Sequence, residues 1–184
     1  MIKLKKKSPK ILVIGDVMID HYLWGSCERI SPEAPVQIID IDKESISLGG
    51  AGNVINNLIS LGARPDIISI IGDNDTSDEL LNLLQSIGIS SKYLFTEKER
   101  VTSKKTRIIS SQQQVVRYDQ ESSSQISSSS EELIVNTFQK IISNYELILF
   151  SDYGKGVLSN KLSKLLISIA KSMEKKVLID PKGL

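Results

Sequence analysis

Histidine and cysteine are almost missing from the chain: His21 and Cys27 are the only ones. A single cysteine excludes an internal disulfide and a Cys-rich metal site, and fits a reducing compartment. A lone histidine excludes a zinc hydrolase built on His ligands. An excess of charge of one sign is also lacking, since 23 Lys+Arg stand against 22 Asp+Glu for a formal +1. Nothing therefore drives the chain generally toward nucleic acid or an anionic membrane. No run of about 18 apolar residues occurs, which excludes a membrane-spanning helix. The basic opening, residues 1–10, followed by apolar residues 11–14, superficially resembles a signal peptide. Gly15, Asp16 and Asp20 break that run and no small-residue cleavage site follows, so the segment reads as a solvated terminus leading into a first strand. The expected location is the cytoplasm.

What is present is ordinary globular composition, 184 residues with 40% hydrophobic and 24% charged, enough for one domain or one with an appendage. Short aliphatic runs at 11–14, 67–71, 147–150 and 177–179, bounded by Gly, Asp or Pro, predict buried strands. Between them Val54, Leu58 and Leu61 share a helical face, as do Leu80, Leu83, Leu84 and Ile87. The pattern returns in Ile134, Phe138 and Ile141, and in Leu162, Leu165, Leu166 and Ile169. This alternation predicts an open α/β fold, a mostly parallel sheet with helices on both faces. Residues 22–47 and 90–121 break the rhythm with β-rich runs at 36–41, 107–110 and 115–118 and no helical pattern. They are expected to be insertions pairing into a small antiparallel β-lid, over a ligand or at a dimer contact. The serine-rich run 122–130 reads as a flexible loop before a helix.

In an open parallel sheet, ligands bind beyond the carboxyl ends of the strands. There the first strand runs into Gly15-Asp16 and then Asp20, a later one into Ser151-Asp152-Tyr153-Gly154-Lys155-Gly156, and the last into Asp180-Pro181-Lys182-Gly183. Each alone is a routine turn; carboxylates and lysines at one rim suit a polyhydroxylated or phosphorylated ligand. Gly49-Gly-Ala-Gly-Asn53 opens a helix, where glycines admit a ligand to the backbone and free N–H groups favour oxygen-rich ligands. The turn is neither G-x-G-x-x-G after a strand nor G-x-x-x-x-G-K-[ST], so a nicotinamide dehydrogenase or a P-loop enzyme loses its main support. Lys104, Lys105, Arg107 and Arg117 lie on strand-like runs of the second insertion. They offer phosphate a point charge and a bidentate fork, or simply guard an exposed strand edge. His21 and Trp24, beside Asp20, could wall a pocket, although packing is the ordinary role of each. Cys27 has no base partner and reads as a small buried residue.

Several blocks together resemble a known family. Residues 11–20 (ILVIGDVMID), 29–36 (RISPEAPV) and 49–53 (GGAGN) are similar to the opening of the ribokinase-like, or PfkB, carbohydrate kinases. Residues 30–36, 113–119 (QQVVRYD), 151–156 (SDYGKG) and 177–183 (VLIDPKG) resemble the branch that phosphorylates D-glycero-β-D-manno-heptose 7-phosphate, the kinase half of ADP-heptose synthesis enzymes. The likeness runs from residue 11 to the end of the chain.

The resemblance implies a parallel sheet with flanking helices and a β-lid that closes over the sugar and dimerises. It implies phosphoryl transfer from ATP, with Mg²⁺, to the anomeric hydroxyl, giving the 1,7-bisphosphate used in ADP-heptose and lipopolysaccharide core assembly. Asp16 and Asp20 then match positions that accept from sugar hydroxyls, and Gly49, Gly50 and Asn53 match the sugar-binding turn. Lys105, Arg107 and Arg117 are candidates for the substrate's existing phosphate, by charge and location. Asp152 and Lys155 are expected near the sugar and the transferring group.

The family's later G-A-G-D motif, with its general-base Asp and its nucleotide- and magnesium-binding segments, does not occur in the sequence. The chain is therefore expected to be the N-terminal portion of one kinase domain, with the catalytic Asp beyond Leu184. By itself it is expected to be inactive and not to bind ATP. A fused or separate nucleotidyltransferase is an expected partner. The competing readings are a ribokinase-like kinase for another sugar or nucleoside, and a non-catalytic sugar-phosphate-binding or dimerisation module.

Overall fold

The computed structural model describes residues 8–182, so the basic opening and Gly183 lie outside the described residues. At its centre is β1 (Lys10–Gly15), whose alternation decides the layering. Leu12 and Ile14 point into one apolar cluster and Ile11 and Val13 into another, all nearly inaccessible to water. A strand buried on both faces must be flanked by parallel neighbours and covered by helices. The flanking strands are β4 (Arg64–Ile71) and β8 (Leu147–Ser151), each parallel to β1. The outer ones are β5 (Leu94–Thr96), beside β4, and β9 (Lys176–Asp180), beside β8, giving the order β5-β4-β1-β8-β9.

Helices α1 (Ala51–Ser60) and α2 (Asp75–Ser86) cover one face through Ile55, Leu80 and Leu84. Helices α3 (Ser128–Ile141) and α4 (Asn160–Ser172) cover the other through Ile134, Phe138, Leu162 and Leu166. Truncating any of these fully buried side chains to Ala costs about 2–5 kcal/mol. Leu61 falls just past the end of α1 and Leu165 faces outward, both exposed. No helix among the described residues is long and apolar enough to cross a membrane.

The lid is larger than the sequence suggests. It begins with β2 (Val17–Ile30) and returns as β3 (Gln37–Gly50), so the hairpin extends to both sides of the expected 22–47. The first of these strands was hidden because its apolar start passes into mixed polar and apolar positions without a clear period. The lid is completed by β6 (Ser103–Ser110) and β7 (Gln113–Gln120), in the order β3-β2-β6-β7. Its outer pairs are antiparallel, while the central pair β2–β6 is parallel. β5 belongs to the main sheet, so only the later part of the 90–121 stretch is lid.

The serine tract is not a loose loop. Ile126 is buried, and Ser127 caps α3 by accepting from the Ser130 amide at 3.2 Å. Glu97 holds the tract from across the molecule, accepting from the Ser127 amide and hydroxyl, each at 2.9 Å, and from the Ser130 hydroxyl.

Candidate functional site

Strand alternation sorts the lid side chains into two sets. Asp20, Tyr22 and Trp24 share one face of β2, in register with Lys105, Arg107 and Ile109 of β6. Lys105 and Arg107 in turn lie opposite Asp119 and Arg117 of β7. His21 points the other way, buried between Thr106 Oγ1 at 2.9 Å and Glu44 Oε1 at 2.7 Å. Of the two suggested pocket walls, only Trp24 is therefore on the charged face. Here Arg107 lies 5.1 Å from the Tyr22 ring centre, Tyr22 stacks on Trp24 at 5.6 Å, and Lys43 sits 4.9 Å over Trp24. Cations thus flank a stacked aromatic pair on this lid surface, an arrangement that attracts through the ring faces.

The hairpin β2–β3 returns its end to its beginning, pairing Met18 with Gly49 and Val17 with Gly50. A Cβ added at Gly49 would overlap Asp20 Oδ2, so only glycine lets the backbone lie this close to the carboxylate. Gly50 has φ +55° and stands at the start of α1 with no side-chain cap, and Asn53 is exposed in the first turn. Asp20, the glycine turn and the opening of α1 thus form one surface.

Asp16 has a different part from the one its motif suggested. Only 1% exposed, it accepts from the amides of Tyr153 at 2.8 Å and Lys155 at 3.0 Å through Oδ2, and of Val157 at 3.1 Å through Oδ1. Its own carbonyl accepts from Ala51 N at 2.8 Å. With both carboxylate oxygens taken up by backbone amides, it ties β1, α1 and the 152–157 loop together and is not free for sugar hydroxyls. Asp152 is also locally engaged, accepting from Gly154 N at 2.8 Å while its amide donates to Asp180 O at 2.9 Å. Lys182 lies against Gly154, so the two later strand ends do meet. Burial, then the charges of Asp180 and Asp20, raise the Tyr153 hydroxyl's pKa.

The cations are paired within the chain. Arg107 donates to Asp20 Oδ1 at 2.7 Å, and Arg117 Nε lies 3.0 Å from Asp119 Oδ1 on the more exposed outer strand. Lys105 donates to Asp119 at 2.8 Å and to Glu121 at 2.9 Å, and Lys155 donates to Glu121 at 2.6 Å. Glu121 is thus a bridge between lid and rim. Burial would raise its carboxyl, but hydrogen bonds from Lys155 and Lys105 hold it below the usual range. Burial would likewise lower Lys105, yet Asp119 and Glu121 raise it, so the cluster is charged at neutral pH. Sequence reasoning assigned no part to Glu121, Tyr22 or Arg100; the register signal could have found Tyr22, two residues from Asp20.

A parallel sheet carrying a strand lid, with a glycine turn pressed against a lid carboxylate, defines a ribokinase-like carbohydrate-kinase architecture. The chain belongs to the pfkB family of carbohydrate kinases, whose profile matches residues 8–184. Among curated relatives it is 58% identical to the "Bifunctional protein HldE" of Aliarcobacter butzleri, over 96% of this chain and 37% of that protein. It is 53% identical to the protein of that name from Sulfurimonas denitrificans, over 98% of this chain and 38% of that one. The chain thus spans well under half the length of these relatives. Among solved structures, a carbohydrate kinase from Agrobacterium tumefaciens superposes with TM-score 0.68 at 22% identity, covering 93% of this chain and 53% of that one. Arabidopsis thaliana ribokinase complexed with ribose and ATP gives 0.65 at 14%, covering 96% and 55%. These distant likenesses carry the fold alone.

Proposed function

We propose that the chain is the sugar-binding and lid portion of a kinase that phosphorylates D-glycero-β-D-manno-heptose 7-phosphate at its anomeric hydroxyl. The product would be the 1,7-bisphosphate, made in the cytoplasm for ADP-heptose and lipopolysaccharide core synthesis. The observation that carries this reading is the charged lid face, where Asp20 lies against Gly49 while Lys105 and Arg107 stand on the neighbouring strand. The relatives named HldE support the choice of substrate.

In this reading Asp20 and Asn53 orient the sugar hydroxyls over the Gly49–Gly50 turn, and a carboxylate suits that because it accepts from adjacent O–H groups. Lys105, Arg107 and Lys155 hold the existing phosphate, with Arg117 adding charge from the outer strand. Asp152 keeps the rim turn closed. The kinase reaction needs ATP and Mg²⁺, but no three His, Cys, Asp or Glu side chains gather as a metal site among the described residues. Nucleotide contacts and the general base are assigned to the G-A-G-D segment that this sequence does not contain, and the chain alone is expected not to turn over.

The back of the lid supports a homodimer. In register with Thr106 and Ile108, it exposes Ile46, Val116 and Tyr118, an apolar face opposite the charged one. A nucleotidyltransferase, fused or separate, is proposed to act downstream.

One observation favours a second reading, a ribokinase-like kinase for another sugar or nucleoside. Lys105, Arg107 and Lys155 each already have a carboxylate partner. A phosphorylation assay separates these readings, using the full-length gene product, ATP, Mg²⁺ and a panel of sugars. Turnover of heptose 7-phosphate above ribose and fructose supports the proposal; robust turnover of those sugars with none of the heptose phosphate overturns it.

A further inference from the structure

Lys155 lies between Gly154 at φ +66° and Gly156 at φ +91°, a stretch whose backbone would by itself have wide freedom. Its residue is nevertheless gripped from both sides. The Lys155 amide donates to Asp16 Oδ2 at 3.0 Å, and the Lys155 carbonyl accepts from Arg100 Nη2. Arg100 is 8% exposed, and Nη1 donates to Ser124 O at 3.2 Å. Its ion-pair partner is Glu97, at 3.9 Å. A cavity of about 10 Å³ lies among Asp16, Arg100, Thr102 and Lys155. A buried anion thus faces the donor side of Lys155 and a buried cation its acceptor side. Burying a guanidinium is costly unless its donors are satisfied, and here they are directed to the carbonyls of two loops that flank the rim.

We infer that Asp16 and Arg100 are positioning residues which jointly fix the Lys155 backbone, so that its ammonium group is presented to the anionic group of the substrate. In this structure Glu121 takes that place, 2.6 Å from Lys155 Nζ. The inference rests on the sugar-phosphate reading of Lys155. Arg100 lies in the β5–β6 connection, three residues before the lid strand β6, so one side chain links the approach to the lid with the Lys155 loop.

Two measurements on the full-length product test this. Hydrogen exchange followed by mass spectrometry reads the clamp directly and does not depend on any substrate. In Arg100→Met and in Asp16→Asn, peptides spanning 153–157 should exchange about tenfold faster or more, while β1 stays protected. Unchanged exchange at 153–157, or equal acceleration throughout the chain, overturns the clamp.

The second measurement is steady-state kinetics with heptose 7-phosphate. Arg100→Met and Lys155→Met should each raise KM by about tenfold or more, with a smaller change in kcat. The double variant should be no worse than Lys155→Met alone, and Arg100→Lys should recover part of the loss. Losses that multiply in the double variant overturn the assignment. A wild-type protein that does not prefer the phosphorylated over the unphosphorylated sugar would sink the substrate reading instead, and the exchange result would still decide the clamp.

Discussion

Asp20 on β2 and Arg107 on β6 are joined at 2.7 Å across 87 positions of sequence. Register makes the contact possible. Asp20 lies level with Lys105, and Arg107 lies level with Tyr22, whose ring it covers. Arg107 therefore reaches back two positions along the lid to meet the carboxylate that Gly49 also abuts.

Asp20→Asn keeps the shape of that carboxylate while removing its charge and part of its acceptor capacity. Catalytic efficiency of the full-length product should fall by about a hundredfold or more, since a hydrogen-bonding site loses discrimination steeply when a partner is removed. The cost in folding stability should be only about 1 kcal/mol, because the ion pair is partly exposed. Steady-state kinetics beside urea denaturation checks both, and a loss confined to stability contradicts the assignment.

Gly49→Ala drives a Cβ against Asp20 Oδ2 and to 2.8 Å from Met18 Cγ. It should cost about 1–3 kcal/mol and also weaken sugar binding. Gly88→Ala is the control, at φ +79° with nothing within 4 Å. It should cost about 1–2 kcal/mol of backbone strain and leave binding intact. Calorimetric titration with the sugar phosphate tells them apart.

Glu97 sets part of the acid limit of stability. Burial alone would raise its carboxyl, but Ser130, the Ser127 amide and hydroxyl, and Arg100 together hold it below the usual value of 4.5. A carboxyl depressed in the folded state contributes stability above its unfolded value and loses it as pH falls through the folded one. Glu97→Gln should therefore lower the melting temperature at neutral pH and flatten its decline below pH 4.5. A variant whose melting profile parallels wild type across that range contradicts the tether.

Tyr118→Lys, at the apolar back of the lid, should turn a dimeric full-length product into monomers in light scattering while leaving the circular dichroism unchanged. Monomeric wild-type protein, or a variant of undiminished mass, contradicts a dimer through the lid.

The sheet was legible because run 11–14 is apolar at every position and run 67–71 at every position but Ser69, a pattern that suits a strand covered on both faces. The lid was legible only in outline. In residues 17–30 an apolar start passes into mixed polar positions, and the 14-residue strand shows itself only once β3 and β6 are paired to it. Asp20 and the Gly49–Gly50 turn were visible from motif and chemistry. Asp16 carried the same motif signal, yet its carboxylate is filled by amides from residues 153–157, a fact that lies in tertiary closure and not in local sequence. Arg100 gave no signal, because an arginine in a polar connection looks solvated until the loops around it bury it.

The most direct test is a crystal structure of the full-length product with heptose 7-phosphate bound. The sugar ring is expected between Asp20 and the Gly49–Gly50 turn, with its phosphate on Lys105, Arg107 and Lys155 and the Glu121 carboxylate moved away from Lys155. A heptose phosphate seated elsewhere, with the Asp20–Arg107 and Glu121–Lys155 pairs undisturbed, would contradict the charged lid face as the substrate site.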